Sequence, residues 1–195
     1  MARLKDIASI HIGYHFRGQI RPVKDGQYQL IHIKDISQGS WSSSDNLIRV
    51  NIDDLKAEQL LRKGDVILVG RGERRPAVAI TDDVNNTTVR SQFFIIRAHP
   101  VLDPHYLAWT LNQDSSQKYL EEKSVGTNVK IVSKEVLSYL PIVLPDLETQ
   151  RKIATLHSLN EKQRQLMNTI AEKRYQLTER ALLNLVEASK KDFEV

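Results

Sequence analysis

The stretch V-G-T-N-V-K-I-V-S-K-E-V-L-S-Y-L-P-I-V-L-P-D-L-E-T-Q, Val125 to Gln150, carries in order a turn, a short helix, a short strand and the start of a long helix. Gly126 frees the backbone for the turn, and Thr127, Asn128 and Lys130 line it with hydrogen-bonding and cationic groups suited to phosphate or base edges. Ser133 is placed to cap a short helix in which Val136, Leu137 and Leu140 fall at helical spacing, and Pro141 stops it. Ile142, Val143 and Leu144 then read as a strand closed by Pro145. Asp146 follows as a cap for the long helix, with Glu148 in the first turn, where a carboxylate favours the helix dipole.

Working outward, this junction divides the chain into a domain at 1–145 and a helical arm at 146–195. Upstream the pattern is short strands: Ile7 to Ile12, Tyr28 to Ile33, Leu47 to Val50, Val66 to Val69, Ala77 to Ile80 and Phe93 to Arg97 are rich in β-branched or aromatic residues. Gly, Asn and Asp clusters separate them. Asp103 and Pro104 open a helix running to Asn112, Ser115 to Ser124 reads as another, and Leu55 to Leu61 as a third. The fold class expected is α+β: a mainly β domain with short helices, then one long C-terminal helix that forms an antiparallel pair or coiled coil.

The arm holds no Gly or Pro from Leu147 to Ser189, so some 40 residues at about 1.5 Å rise give a rod of roughly 60 Å. Ile153, Leu156, Leu159, Leu166, Met167, Ile170, Leu177, Ala181 and Leu185 recur along it, and this apolar surface is the expected partner or dimer interface. A helix this long with apolar residues on more than one side gains little stability alone.

The chain has no cysteine, which excludes disulfide scaffolds and cysteine-rich zinc sites and agrees with a reducing compartment. Its N-terminus lacks the apolar segment of a signal peptide and no run is long enough to span a bilayer, so a cytoplasmic location and no membrane partner are expected. The net charge of +4 suits polyanion binding without demanding it. Distribution says more. Arg71, Arg74 and Arg75 crowd one glycine-flanked loop, where arginine could read guanine or hold phosphate. Thr127, Asn128 and Lys130 form a second cluster, and Tyr14, His15 and Arg17 a third beyond the first strand.

Several segments resemble the target-recognition domains of type I restriction-modification specificity subunits. Arg3 to Gly13, R-L-K-D-I-A-S-I-H-I-G, is similar to their lead-in, and Tyr28 to Ser37, Y-Q-L-I-H-I-K-D-I-S, to their next strand. Leu61 to Gly72, L-R-K-G-D-V-I-L-V-G-R-G, matches better, followed by S-Q-F-F-I-I-R at Ser91 to Arg97 and P-H-Y-L-A-W-T-L at Pro104 to Leu111. The exit from Gly126 to Ile153 is the most specific. The resemblance implies a non-catalytic subunit that reads double-stranded DNA at a bipartite site. It also implies docking of an adenine methyltransferase, with a translocating restriction subunit joining the assembly. No cofactor is implied for this chain; S-adenosylmethionine belongs to the methyltransferase. Only one recognition domain and one arm are present, which implies a half-size form acting as a homodimer.

Two other classes compete. One is a helical adaptor whose β domain has lost DNA reading. The other is a metal-dependent nuclease built from Asp65 and the Glu73-Arg74-Arg75 run, against which stands Arg75, a guanidinium where such sites use a neutral amine. His11 and His15 are four apart but are separated by Gly13 and lack a Glu-rich helical context for zinc. Trp41, Trp109, Tyr106, Phe93 and Phe94 read as core packing rather than base stacking.

Overall fold

Two apolar runs, Val66 to Val69 and Phe93 to Ile96, have no polar alternation, the pattern of strands covered on both faces. The computed structural model, which describes residues 1–36, 47–126 and 129–191 with side chains through Val186, pairs these two runs at the centre of the molecule. Trp41, Thr127 and Asn128 lie outside the described residues.

In chain order the elements are β1 (Ala2–Arg3), α1 (Leu4–Ile7), β2 (Ala8–Ile12), β3 (Tyr28–Ile31), β4 (Ile48–Val50), β5 (Asp65–Val69), β6 (Ala77–Ala79), β7 (Thr87–Val89) and β8 (Phe93–Ala98). Then follow α2 (Pro104–Leu111), α3 (Asp114–Glu122), α4 (Lys134–Ser138), β9 (Pro141–Ile142) and α5 (Leu147–Lys191). The central sheet has the order β2-β8-β5-β6 and is antiparallel throughout. One face, through Ile10, Val66, Leu68, Phe94 and Ile96, packs on Leu107 and Leu111 of α2, Leu120 of α3 and Leu137 of α4. The other face, through Ile67, Val69, Phe93 and Ile95, packs on Ile31 and Val89 of a second sheet ordered β4-β3-β7. Each such side chain, taken fully out of water, contributes about 1.5–3 kcal/mol. Trp109 is half-buried against the first core, while Tyr106, Phe93 and Phe94 are inside it or the second, so these aromatics serve packing.

Three expectations change. The segment Leu55 to Leu61 is not an α-helix; only a single 3-10 turn forms, at Ala57–Gln59. The strand near the domain exit is Pro141–Ile142, paired with Ala2–Arg3, rather than Ile142 to Leu144. A strand absent from the sequence reading, β7, lies parallel to β3. Its threonines are fully buried yet satisfied: the Thr87 hydroxyl donates to the Asn85 carbonyl at 3.0 Å and the Thr88 hydroxyl to the Gln59 carbonyl at 2.7 Å.

The helix caps follow the sequence. Asp103 accepts from the backbone of His105 and Tyr106, Ser133 from Val136, and Asp146 from Thr149. The chain divides into compact units at 1–154 and 155–195, so the first two turns of α5 belong to the β domain. The completely buried Gln150 holds them there. Its amide accepts from the Asp103 N–H at 2.8 Å and donates to the carbonyls of Val101 and Pro145 at 3.0 and 2.8 Å. Ile153, assigned above to the partner stripe, packs instead against the domain core, because a residue three positions after Gln150 lies on nearly the same side of the helix. Among the described residues no helix is long and apolar enough to cross a membrane.

Asp65, at the start of β5, is buried and receives two hydrogen bonds from Arg97 at 3.0 and 3.2 Å and one from the Arg62 N–H at 2.9 Å. Removing one partner of a buried ion pair strands the other's charge. Asp65→Ala is therefore expected to cost about 3 kcal/mol or more in urea unfolding, and a cost below about 1 kcal/mol would show the pair to be dispensable.

Candidate nucleic-acid interface

The antiparallel register sets Phe94 between Ile12 and Leu68, and Phe93 opposite Val69. The segment after β2, the turn before β8 and the loop after β5 therefore emerge together at one end of the central sheet. Glycine is required at both strand ends. A Cβ on Gly13 would collide with the backbone at Arg90, and one on Gly70 would lie 2.7 Å from the Phe94 ring.

This end collects the described members of the three predicted clusters, Lys130 alone from the cluster that also holds Thr127 and Asn128. Arg71 and Arg74 are exposed on the loop after β5, and Tyr14, His15 and Arg17 follow β2. The joint is a turn the sequence reading missed, Arg90-Ser91-Gln92. Tyr14 donates its N–H to the Val89 carbonyl at 2.7 Å and accepts from the Ser91 N–H at 2.8 Å, while His15 Nδ1 lies 3.3 Å from Ser91 Oγ. Gln92 takes the Gly70 N–H on its carbonyl at 2.8 Å and the Arg71 guanidinium on its side chain at 3.5 Å. A hydrophobic run that begins at Phe93 hid the polar residues before it. The Gly13-to-Arg17 and Gly70-to-Arg75 patterns could have located them only through the strand order.

The second cluster joins the first through the backbone. Gly72 donates to the Lys130 carbonyl at 3.0 Å, and Val132 donates to the Gly70 carbonyl at 2.9 Å, so Arg71 and Ile131 pair across two antiparallel segments. Lys130 is exposed but engaged, its ammonium 2.9 Å from Glu121. That hydrogen bond, and the charge behind it, holds the Glu121 carboxyl below the usual glutamate range. Glu121 thus keeps its charge to a lower pH than a free glutamate, and its carboxylate partly neutralises Lys130.

Arg75 is corrected. It is 1% exposed and cannot touch DNA in this conformation. Its guanidinium donates to the Glu73 carbonyl and to Ser124 Oγ, each at 3.4 Å, just beyond the C-terminus of α3. Its backbone N–H reaches the Gln117 side chain at 3.3 Å, and Gln117 returns a hydrogen bond to the Arg75 carbonyl at 2.9 Å. The carbonyl end of a helix offers partial negative charge to a cation, which accounts for placing the guanidinium here. Its Nε has no partner. Arg75 fastens the loop, and Arg71 and Arg74 are left on the outside.

The nuclease arrangement does not assemble. Asp65 is the first residue of β5 and Glu73 lies beyond the strand's other end, and Asp65 is occupied by Arg97. His11 on β2 sits near Arg97 and Lys134; burial first, then these cations, lowers its pKa. Among the described residues no cluster of three metal-ligating side chains occurs.

The family model for the type I restriction modification DNA specificity domain matches residues 1–173. The chain belongs to this family. Solved structures share the fold of this specificity domain. One is a chain from work on complex assembly and conformational transition of the type I R-M system: TM-score 0.64, 18% identity, 91% of this chain and 42% of that one. The HsdS subunit from Thermoanaerobacter tengcongensis gives 0.59 at 16% identity, covering 83% of this chain and 37% of that one. The type I S subunit from M. genitalium gives 0.54 at 14%, covering 83% and 38%. The specificity domain described here thus spans about two fifths of the length of those chains. No curated protein is matched.

Two outcomes follow from the placement of the charges. Arg75→Ala is expected to lower stability by about 2 kcal/mol or more, whereas Arg74→Ala leaves it within about 0.5 kcal/mol; equal melting temperatures would return Arg75 to the surface. Glu121→Gln releases Lys130 and is expected to steepen the salt dependence of DNA binding by nearly one ion, read as the slope of log K against log salt. An unchanged slope would remove Lys130 from the interface.

Proposed function

We propose that this chain reads duplex DNA through the end of the central sheet that carries Arg71, Arg74, Arg17 and Lys130, and that it directs an adenine methyltransferase to its site. The convergence of three separate cationic loops on one sheet end carries the reading. Phosphate contacts by such loops supply orientation and most of the affinity, and arginine forks supply base discrimination. The chemistry of adenine methylation and its S-adenosylmethionine belong to the partner subunit, as does strand translocation to a restriction subunit.

The arm is the docking element of this proposal. At 3.6 residues per turn, Leu156, Leu159, Leu166, Met167, Ile170, Leu177, Ala181 and Leu185 fall within about 100° of arc. Tyr175, Leu182 and Val186 make a second strip on the last turns, centred roughly 120° from the first. All eleven are exposed. The long stripe supports antiparallel pairing with another such helix, a second copy of this chain included, and the short strip supports contact with the methyltransferase. A homodimer of this chain would present one reading surface twice and so select an inverted repeat with an unread gap.

Selection from a random duplex pool, with methylation mapping of the complex, tests DNA reading. Arg71→Ala with Arg74→Ala is expected to weaken cognate binding by about 1–3 kcal/mol for each arginine that reads a base, or to lower the salt slope by about 0.9 for each that holds phosphate. Unchanged affinity and slope in the folded double variant would exclude this surface.

Truncation after Ala154 should leave a folded monomeric domain that no longer captures the methyltransferase. Truncation at Pro145 should unfold it, because Gln150, Ile153 and Ala154 are lost from the core. Retained dimerisation or capture by the 1–154 fragment would move the interface off the arm.

A further inference from the structure

Three apolar side chains stand in solvent within the cationic end. Val125 is 75% exposed, Ile131 51% and Val129 48%. A single exposed valine is ordinary, but three in seven positions beside two exposed arginines require a reason.

The backbone arranges two of them in a row with Arg71. Val125 and Ile131 exchange both of their backbone hydrogen bonds, at 3.0 and 2.9 Å, so they are a directly opposed antiparallel pair. Ile131 in turn opposes Arg71, with the hydrogen bonds falling on the flanking residues, Gly72 to Lys130 and Val132 to Gly70. Directly opposed residues on neighbouring strands project from the same face. Val125, Ile131 and Arg71 therefore share one face. The alternating neighbour, Val132, is 2% exposed and enters the core, which fixes that face as the outer one. The two pairings separate their Cα atoms by about 5.5 and 4.5 Å, giving a row roughly 10 Å long, or about three base pairs at 3.4 Å rise.

We propose that this row reads the major groove, Arg71 through a guanine and Val125 with Ile131 through the C5-methyl of a thymine within about three base pairs of it. The inference rests on the DNA-reading function above. The thymine methyl is the apolar feature of the major-groove floor, and paired strands are narrow enough to enter that groove. The cationic surroundings select a polyanion over an apolar protein partner. The apolar pair, costly in water, is then covered by the only apolar group the duplex offers there.

The probe is the selected duplex with each thymine near the guanine replaced singly by deoxyuridine, which removes the methyl and keeps the pairing. Binding by the full chain is expected to fall about 3- to 10-fold at one such position. Val125→Ala or Ile131→Ser should weaken binding to the thymine duplex and abolish the difference between thymine and deoxyuridine. Both variants lie at exposed positions, and melting temperature reports their folding. Specific binding with no methyl-sensitive position, or equal sensitivity in wild type and both variants, would overturn this reading and leave DNA recognition standing. Absence of specific, salt-dependent binding would overturn both.

Discussion

The hydrogen-bonded register that places Phe94 between Ile12 and Leu68 governs the reading end of this domain. Because β8 is flanked on both sides by antiparallel neighbours, the exits of β2 and β5 lie beside its start, and the residues that follow them meet whatever their separation in sequence. The side chains that fix the register point away from the site, Phe94 toward the helices and Phe93 toward the second sheet. A one-residue slip would exchange those two faces, so burial on both sides specifies the alignment strongly. The chemistry of the site is thus a by-product of packing decided elsewhere.

Electrostatics at the two ends of β5 obeys opposite solutions to one problem. Arg97 enters the interior with a carboxylate, Asp65, in bidentate geometry. Arg75 enters it with neutral acceptors near the end of α3 and one N–H left without a partner. The first arrangement balances charge. The second holds a cation by backbone and hydroxyl dipoles, a weaker solution located where the loop must be fixed but an acid would oppose a polyanion. Two acids do stand nearby, both exposed: Glu121, engaged by Lys130, and Glu73 in the loop itself.

Much of this was legible in sequence. Uninterrupted apolar runs announced β5 and β8, the Asp103-Pro104 and Ser133 caps announced α2 and α4, and the arm's periodicity announced α5. What failed did so for local reasons. The Thr87-Thr88-Val89 strand carries hydroxyls where strand readers look for alternation, and its partners at Asn85 and Gln59 are not visible from spacing. Arg74 and Arg75 are identical letters in sequence with opposite exposure, decided by Gln117 and Ser124 some 40 to 50 positions away. The Arg90-Ser91-Gln92 turn became part of the site only through strand order. Ile153 fits the arm's apolar pattern and also the domain core, and the buried Gln150 decides between them.

The anchoring of Arg75 has an evolutionary consequence. Its backbone is clasped by Gln117 and its side chain by Ser124, so the segment before it is fastened at a point that makes no demand on the identities of residues 71, 73 and 74. Substitutions there are free to accumulate without disturbing the framework, as in loops carried on a rigid scaffold. New target sequences can then be sampled one exposed side chain at a time, while selection for folding acts on a separate set of positions.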